Sequence, residues 1–173
     1  ALAAWKALPA ERKEGMQPPM PNYIQSAAVV MDNATGALLA VVGGRDAEES
    51  KLNRAIQSRR QTGSLFKPFI YATFFQQGNS ADTRISDDRI AYGEVRGAAN
   101  WSPRNSDGTY RGMKPASFGL ILSRNTMSVR IGNRAGLSNV IQSAQLAGFH
   151  GNISRTPALY LGTWEASPLD IAS

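Results

Sequence analysis

From Ala27 to Val42 two short apolar runs, AAVVM and ALLAVV, flank Asp32-Asn33-Ala34-Thr35-Gly36, so the pattern predicts a β-hairpin. The preceding residues alternate charge and proline without either period, and 1–24 read as a linker to a domain over 25–173. After the hairpin, RDAEESKLNRAIQSRRQ reads as a surface loop carrying Arg45, Arg54, Arg59 and Arg60. Phe66, Phe69, Ile70, Thr73 and Phe74 then recur at helical spacing up to Gly78, which predicts an amphipathic helix. Residues 79–113 are rich in Asp, Asn, Gly and Ser, with a turn signal at Asn105 to Gly108, and read as a long loop. A helix opened by Pro115 runs to Leu122, a break falls at Ser123-Arg124-Asn125, and a second covers Thr126 to Arg134 before Gly136. Ser138 is placed to cap a third, ending near Gly148.

The apolar fraction of 42% over 173 residues is enough for one core, and no apolar run reaches the roughly 20 residues that cross a bilayer. A net charge of +6 favours anionic surroundings, yet the Lys and Arg residues are scattered, so nucleic acid is not expected as a partner. The absence of cysteine removes disulfides, thiolate metal sites and a Cys nucleophile.

Chemistry enters with Gly63-Ser64-Leu65-Phe66-Lys67-Pro68. Pro68 disrupts a helix least near its beginning, which fixes the helix start close to Ser64 even though a residue before proline, here Lys67, avoids the helical region. Side chains at i and i+3 share one face, so the Lys67 amine comes within reach of the Ser64 hydroxyl. A lysine whose pKa is lowered by burial or a second cation can take a serine proton, and N–H groups at the helix start can face an oxyanion. Gly63 allows the tight entry. A serine and lysine at this spacing also arise by chance, and Ser123 with Asn125 equally fits a capping serine beside a turn asparagine.

The blocks VVMDNATGALLAVVGGRD, LNRAIQSRRQTGSLFKPFIYA, NWSPRNSDGTYRGMKPASFGLILSRNT and LYLGTWEASPLDIAS, in that order, resemble the transpeptidase domain of the bifunctional class A penicillin-binding proteins. The resemblance implies a mixed α/β penicillin-binding fold, an antiparallel sheet flanked by a helical lobe. It implies that Ser64 is the acylated nucleophile, Lys67 its proton acceptor, Ser123 a relay toward the leaving amine, and Asn125 a hydrogen-bonding partner for Lys67 and the substrate amide. It implies a D,D-transpeptidase acting on peptidoglycan stem peptides and acylated by β-lactams, on the extracytoplasmic face of a bacterial membrane, with no metal or organic cofactor required. An N-terminal anchor and a glycosyltransferase domain are expected upstream of Ala1.

Two departures stand out. Thr62 occupies a position where the family usually has proline. No Lys-Thr-Gly or Lys-Ser-Gly follows, because the lysines precede Ala, Glu, Leu, Pro and Pro, so the chain is expected to stop short of that strand, to be poorly active alone, and to leave apolar hairpin edges uncovered. Trp101, in the loop between the two motifs, is the candidate for substrate contact, ahead of Tyr110 and Trp164, which are expected to pack. Arg124 is expected to face solvent. His150 reads as a helix C-cap rather than a triad member. Glu165 raises the alternative of a serine β-lactamase, and a non-catalytic sensor or scaffold built on this fold is the other.

Overall fold

A computed structural model of the chain describes residues 2–16, 19, 23–149 and 153–173. The chain forms two compact units, one of Ala1–Arg59 with Ala166–Ser173 and one of Arg60–Glu165. His150 lies outside the described residues.

In the first unit the hairpin forms as the pattern predicts. Strands β1 (Ala28–Met31) and β2 (Leu38–Val42) pair antiparallel, Ala28 opposite Val42, with a register shift between Val30 and Met31. Asp32 builds the connecting turn: its Oδ1 accepts from the N–H groups of Ala34 and Thr35, each at 2.8 Å, while its carbonyl accepts from Gly36. Val30, Leu38, Leu39 and Val42 remain about half exposed or more, so the sheet keeps apolar surface open to water. The stretch 1–24 contains two short helices, α1 (Leu2–Lys6) and α2 (Ala10–Lys13). The arginine-rich stretch departs from the predicted loop by folding helix α3 (Arg54–Gln57). Asn53 caps it by accepting from the Ala55 N–H at 3.1 Å, the Gln57 side chain accepts from the Asn53 N–H, and Ala55 is fully buried. A four-residue helix is too short to leave a period in the sequence.

The second unit is mostly helical, and two-residue strands β3 (Arg60–Gln61) and β6 (Glu165–Ala166) mark its borders. Helix α4 (Lys67–Gln76) follows a 3₁₀ turn over Gly63–Phe66, so the helical path begins near Ser64 and Lys67 does adopt the helical conformation (φ −57°, ψ −40°) ahead of Pro68. The predicted stripe is buried at Phe66, Ile70, Thr73 and Phe74, but Lys67 and Tyr71 are buried too. The helix is therefore enclosed over more of its circumference than an amphipathic pattern implies, because α5 (Ala116–Ile121), α6 (Asn125–Ala135) and α7 (Leu137–Leu146) all pack on it. Met127, Val129 and Ile131 of α6 with Val140 and Ala144 of α7 complete this core.

Three boundaries differ from expectation. Pro115 caps α5 rather than opening it, α6 begins one residue earlier at Asn125, and α7 starts directly after Gly136, which places Ser138 inside it. Loop 79–113 carries a strand at its start and another at its end, β4 (Arg84–Ser86) and β5 (Met113–Pro115), paired antiparallel with Ile85 opposite Lys114. Ile85, Ile90 and Val95 bury against the helices, so the segment is a folded excursion and not a solvated one. A single helix after residue 166 completes the first unit. This α8 (Pro168–Ala172) has a reciprocal capping box between Ser167 and Asp170, a Ser-x-x-Asp signal legible in the sequence.

Candidate active site

Ser64 sits in the 3₁₀ turn and Lys67 at the first position of α4. The turn is laid against a segment about 100 residues away. Thr62 N–H donates to the Trp164 carbonyl and Gly63 N–H to the Gly162 carbonyl, both at 2.9 Å, and Thr62 Oγ1 donates to the Gly162 carbonyl at 3.3 Å. Threonine thus uses an N–H that proline lacks. Gly63 is at φ +54°, which a side chain would resist. Of the N–H groups at the helix start, that of Leu65 turns inward to the Thr62 carbonyl.

The break between α5 and α6 supplies the other half. Ser123 has φ +52°, the one left-handed residue other than glycine among those described, which costs about 1 kcal/mol and is held by Ser123 N–H on the Leu120 carbonyl and Arg124 N–H on the Gly119 carbonyl. This bend points both oxygens of Ser123 at the lysine. Lys67 Nζ donates to the Ser123 carbonyl at 2.6 Å, to Ser123 Oγ at 2.9 Å and to Asn125 Oδ1 at 2.8 Å. Ser123 Oγ in turn donates to Ser64 Oγ at 2.9 Å. All four residues expected from the sequence meet, and Ser123 stands between Lys67 and the Ser64 hydroxyl. Asn125 Nδ2 donates to the Arg104 carbonyl at 2.9 Å, which leaves its second N–H free to meet a ligand.

Lys67 is only 1% exposed, and its three acceptors are neutral oxygens. Burial, and secondarily the charge of Arg124, lower its pKa to about 8 from 10.5. The unfolded lysine keeps its proton to higher pH than the folded one, so folding is penalised in full below about 8 and the penalty lifts as pH rises. We expect stability to increase by about 2 kcal/mol between pH 8 and 10, after allowing for water on the open side of the site. Above 10, Tyr71 and Tyr160, both pushed up to about 12 by burial, act in the opposite direction. Denaturant titrations across this range check the slope, and Lys67→Met flattens it.

Arg124 contradicts its predicted exposure: it is 6% exposed and turned inward. Its Nε donates to Asp87 Oδ2 at 2.9 Å and its Nη1 to Asp107 Oδ2 at 2.7 Å, while Nη2 reaches the Thr109 carbonyl. Asp87 is fully buried, and its Oδ1 also accepts from Asn105 Nδ2 at 2.9 Å and Thr126 Oγ1 at 2.7 Å, with Arg111 N–H on Oδ2. Burial alone would raise this carboxyl, but the bonds from Arg124, Thr126 and Asn105 outweigh it and hold it below its ordinary value. A buried carboxylate needs a paired cation, and a guanidinium fork fits it best. Sequence reasoning missed the cluster because Asp87 and Asn105 look like any other polar loop residues.

Trp101 is half-buried in the loop with its backbone N–H on the Ala98 carbonyl, and among the described residues no hydrogen bond or ring contact joins it to the four. Trp164 packs, as expected, edge-on against Phe149 at 4.7 Å. Tyr110 is partly exposed in the loop, and Glu165 is exposed in β6. No group of three or more His, Cys, Asp or Glu residues that could hold a metal occurs among the described residues.

The sequence profile of the penicillin binding protein transpeptidase domain matches residues 26–156. The chain is 37% identical over 151 residues to penicillin-binding protein 1A of Neisseria meningitidis serogroup A, covering 86% of this chain and 19% of that protein. It is 36% identical over 149 residues to penicillin-binding protein 1A of Pseudomonas aeruginosa, covering 86% and 18%. The crystal structure of penicillin-binding protein 1A from Haemophilus influenzae superposes with a TM-score of 0.79 at 36% identity, covering 85% of this chain and 22% of that one. PonA1 of Mycobacterium tuberculosis in complex with penicillin V gives 0.71 at 25% identity, covering 97% and 45%. The chain spans about a fifth of the length of the curated relatives it matches.

Proposed function

Because this chain belongs to the penicillin-binding protein transpeptidase family, we propose that it carries the nucleophile half of a peptidoglycan D,D-transpeptidase site with Ser64 as the acylated residue. The observation that carries the reading is the continuous hydrogen-bond path from Ser64 Oγ through Ser123 Oγ to a Lys67 amine of lowered pKa.

The ammonium spends all three N–H groups on Ser123 and Asn125, and Ser123 donates to Ser64. Nucleophilic attack needs the reverse order. Once Lys67 loses its proton, Ser123 Oγ–H turns to the amine lone pair and Ser64 Oγ–H turns to Ser123. Ser64 Oγ then attacks the penultimate D-alanine carbonyl of a stem peptide, its proton passing to Ser123 as that of Ser123 passes to Lys67. The C–N bond to the terminal D-alanine breaks with the proton returned along the same path to the departing amine, leaving an ester on Ser64. The amine of a neighbouring stem attacks that ester, its proton passing through Ser123 to Lys67; the ester C–O bond then breaks and the proton returns along the same path to Ser64 Oγ, leaving the cross-link and the regenerated serine. A β-lactam, whose strained amide stands in for D-alanyl-D-alanine, stops at the ester.

The whole protein is proposed to be membrane-anchored with this domain outside the membrane and a glycosyltransferase domain in the same polypeptide. No described helix is long and apolar enough to cross a bilayer. Incubation with a fluorescent penicillin followed by intact-mass analysis and peptide mapping tests the reading. The expected result is one stable adduct, on Ser64, absent from Ser64→Ala. A folded complete domain that takes no label, an adduct elsewhere, or rapid turnover of the label as in a β-lactamase overturns it.

A further inference from the structure

Resting on the acyl-transfer reading, we propose that Arg124 is a positioning residue that keeps Lys67 free to accept a proton, by drawing Asp87 and Asp107 to itself and leaving only neutral oxygens for the lysine. Arg124 lies in the chain between Ser123 and Asn125, whose side chains point to Lys67, while its own runs the other way into the two carboxylates. The same three residues therefore present neutral acceptors on one side and gather the anions on the other.

Among the described residues the other buried cation is Lys67. Asp87 is 0% exposed, and its field reaches α4, where it helps hold the Tyr71 hydroxyl protonated one turn beyond Lys67. Without Arg124, Asp87 would be left an uncompensated buried anion, whose field favours the protonated form of groups on α4 as it does at Tyr71. Arg124 prevents this twice, by neutralising Asp87 and by repelling the ammonium directly.

The other charged groups do not duplicate the effect. Of the elements packed on α4, α5 and α7 carry no ionisable residue and the turn over Pro157–Leu161 contributes only Tyr160. Helix α6 adds Arg130, which pairs with Glu94, and Arg134 in its last turn. Asp107 stands at the edge of the site, with its side chain 47% exposed.

The test is a ¹³C titration of lysine Cε in the full chain, with the Lys67 signal identified by its loss in Lys67→Met, alongside the pH profile of penicillin acylation. In Arg124→Gln the Lys67 midpoint and the acylation midpoint both rise by about one pH unit or more, and acylation near neutrality falls about tenfold while the high-pH plateau changes far less. Arg124→Lys, which keeps the charge, stays within about half a unit of the parent. Asp107→Asn, at the exposed edge, moves the midpoint down by a few tenths and serves if Arg124→Gln does not fold. An unshifted Lys67 midpoint in Arg124→Gln, or one that stays or rises in Asp107→Asn, overturns the proposal. An equal rate loss at every pH means a strut and overturns it as well. A shifted lysine titration in a chain that takes no acyl group counts against the transferase reading alone.

Discussion

Lys67→Met lowers the rate at which Ser64 is acylated by a penicillin about a thousandfold at pH 8, while the protein stays folded. Methionine fills nearly the same volume in the buried sleeve formed by α4, α5 and α6, so packing survives. Proton transfer does not. With the amine gone, the chain from Ser64 to Ser123 ends on no base, and a positioned base is worth 10²- to 10⁴-fold. The orphaned acceptors on Ser123 and Asn125 face the open side, where water can replace the ammonium. Lys67→Arg separates charge from basicity: guanidinium keeps the positive charge but holds its proton above pH 12, so it fails by a similar factor. Stopped-flow labelling reads both. Retention of the parent rate within about tenfold by Lys67→Arg would show that a fixed cation suffices and that no proton moves to residue 67. In the parent, acylation rises about tenfold per pH unit toward 8 and then levels.

Gly162→Ala costs about 3 kcal/mol and shifts the melting temperature down by roughly 10 °C. A Cβ at this position lies 1.9 Å from the Gly63 carbonyl oxygen and 2.5 Å from its carbon, both backbone atoms that no rotamer change can clear. Residue 162 is also at φ +74°, which adds about 1 kcal/mol for any residue with a side chain. Relief requires the Gly63 carbonyl to withdraw, and with it the turn that carries Ser64. The variant therefore loses acylation rate even at temperatures where it is folded. Thermal melts and labelling check the pair of effects, and a variant that melts like the parent would show that the two strands of backbone can separate without loss.

The hairpin, the helix after Pro68 and the helices on either side of Ser123 were legible because each has its own local signal: Asp32 to Gly36 as a turn, a buried period from Phe66 to Phe74, and a polar interruption between apolar runs. Ser64 and Lys67 were legible as a spacing on one helix face, Ser123 and Asn125 only through the family resemblance, and the fold brings the four together. What was not legible is what depends on distant partners. Arg124 looks like a surface cation until Asp87, 37 residues earlier, is placed beneath it. The two three-residue strands that bracket loop 79–113 are equally silent, since neither is long enough to alternate. The direction of the hydrogen bond between Ser123 and Ser64 follows from which groups the lysine occupies, and no spacing encodes that.

The backbone ties from Thr62 and Gly63 to residues 162 and 164 have a consequence for synthesis. A growing polypeptide carries Ser64 and Lys67 long before Trp164 has been added, and at ribosomal speeds the gap is on the order of ten seconds. During that interval the loop closure that seats the turn over Gly63–Phe66 has not happened, and Ser64 is not yet held beside Ser123. Ser64 and Lys67 are neighbours in the gene, yet the turn that carries them is tied down only after residue 164 has been made.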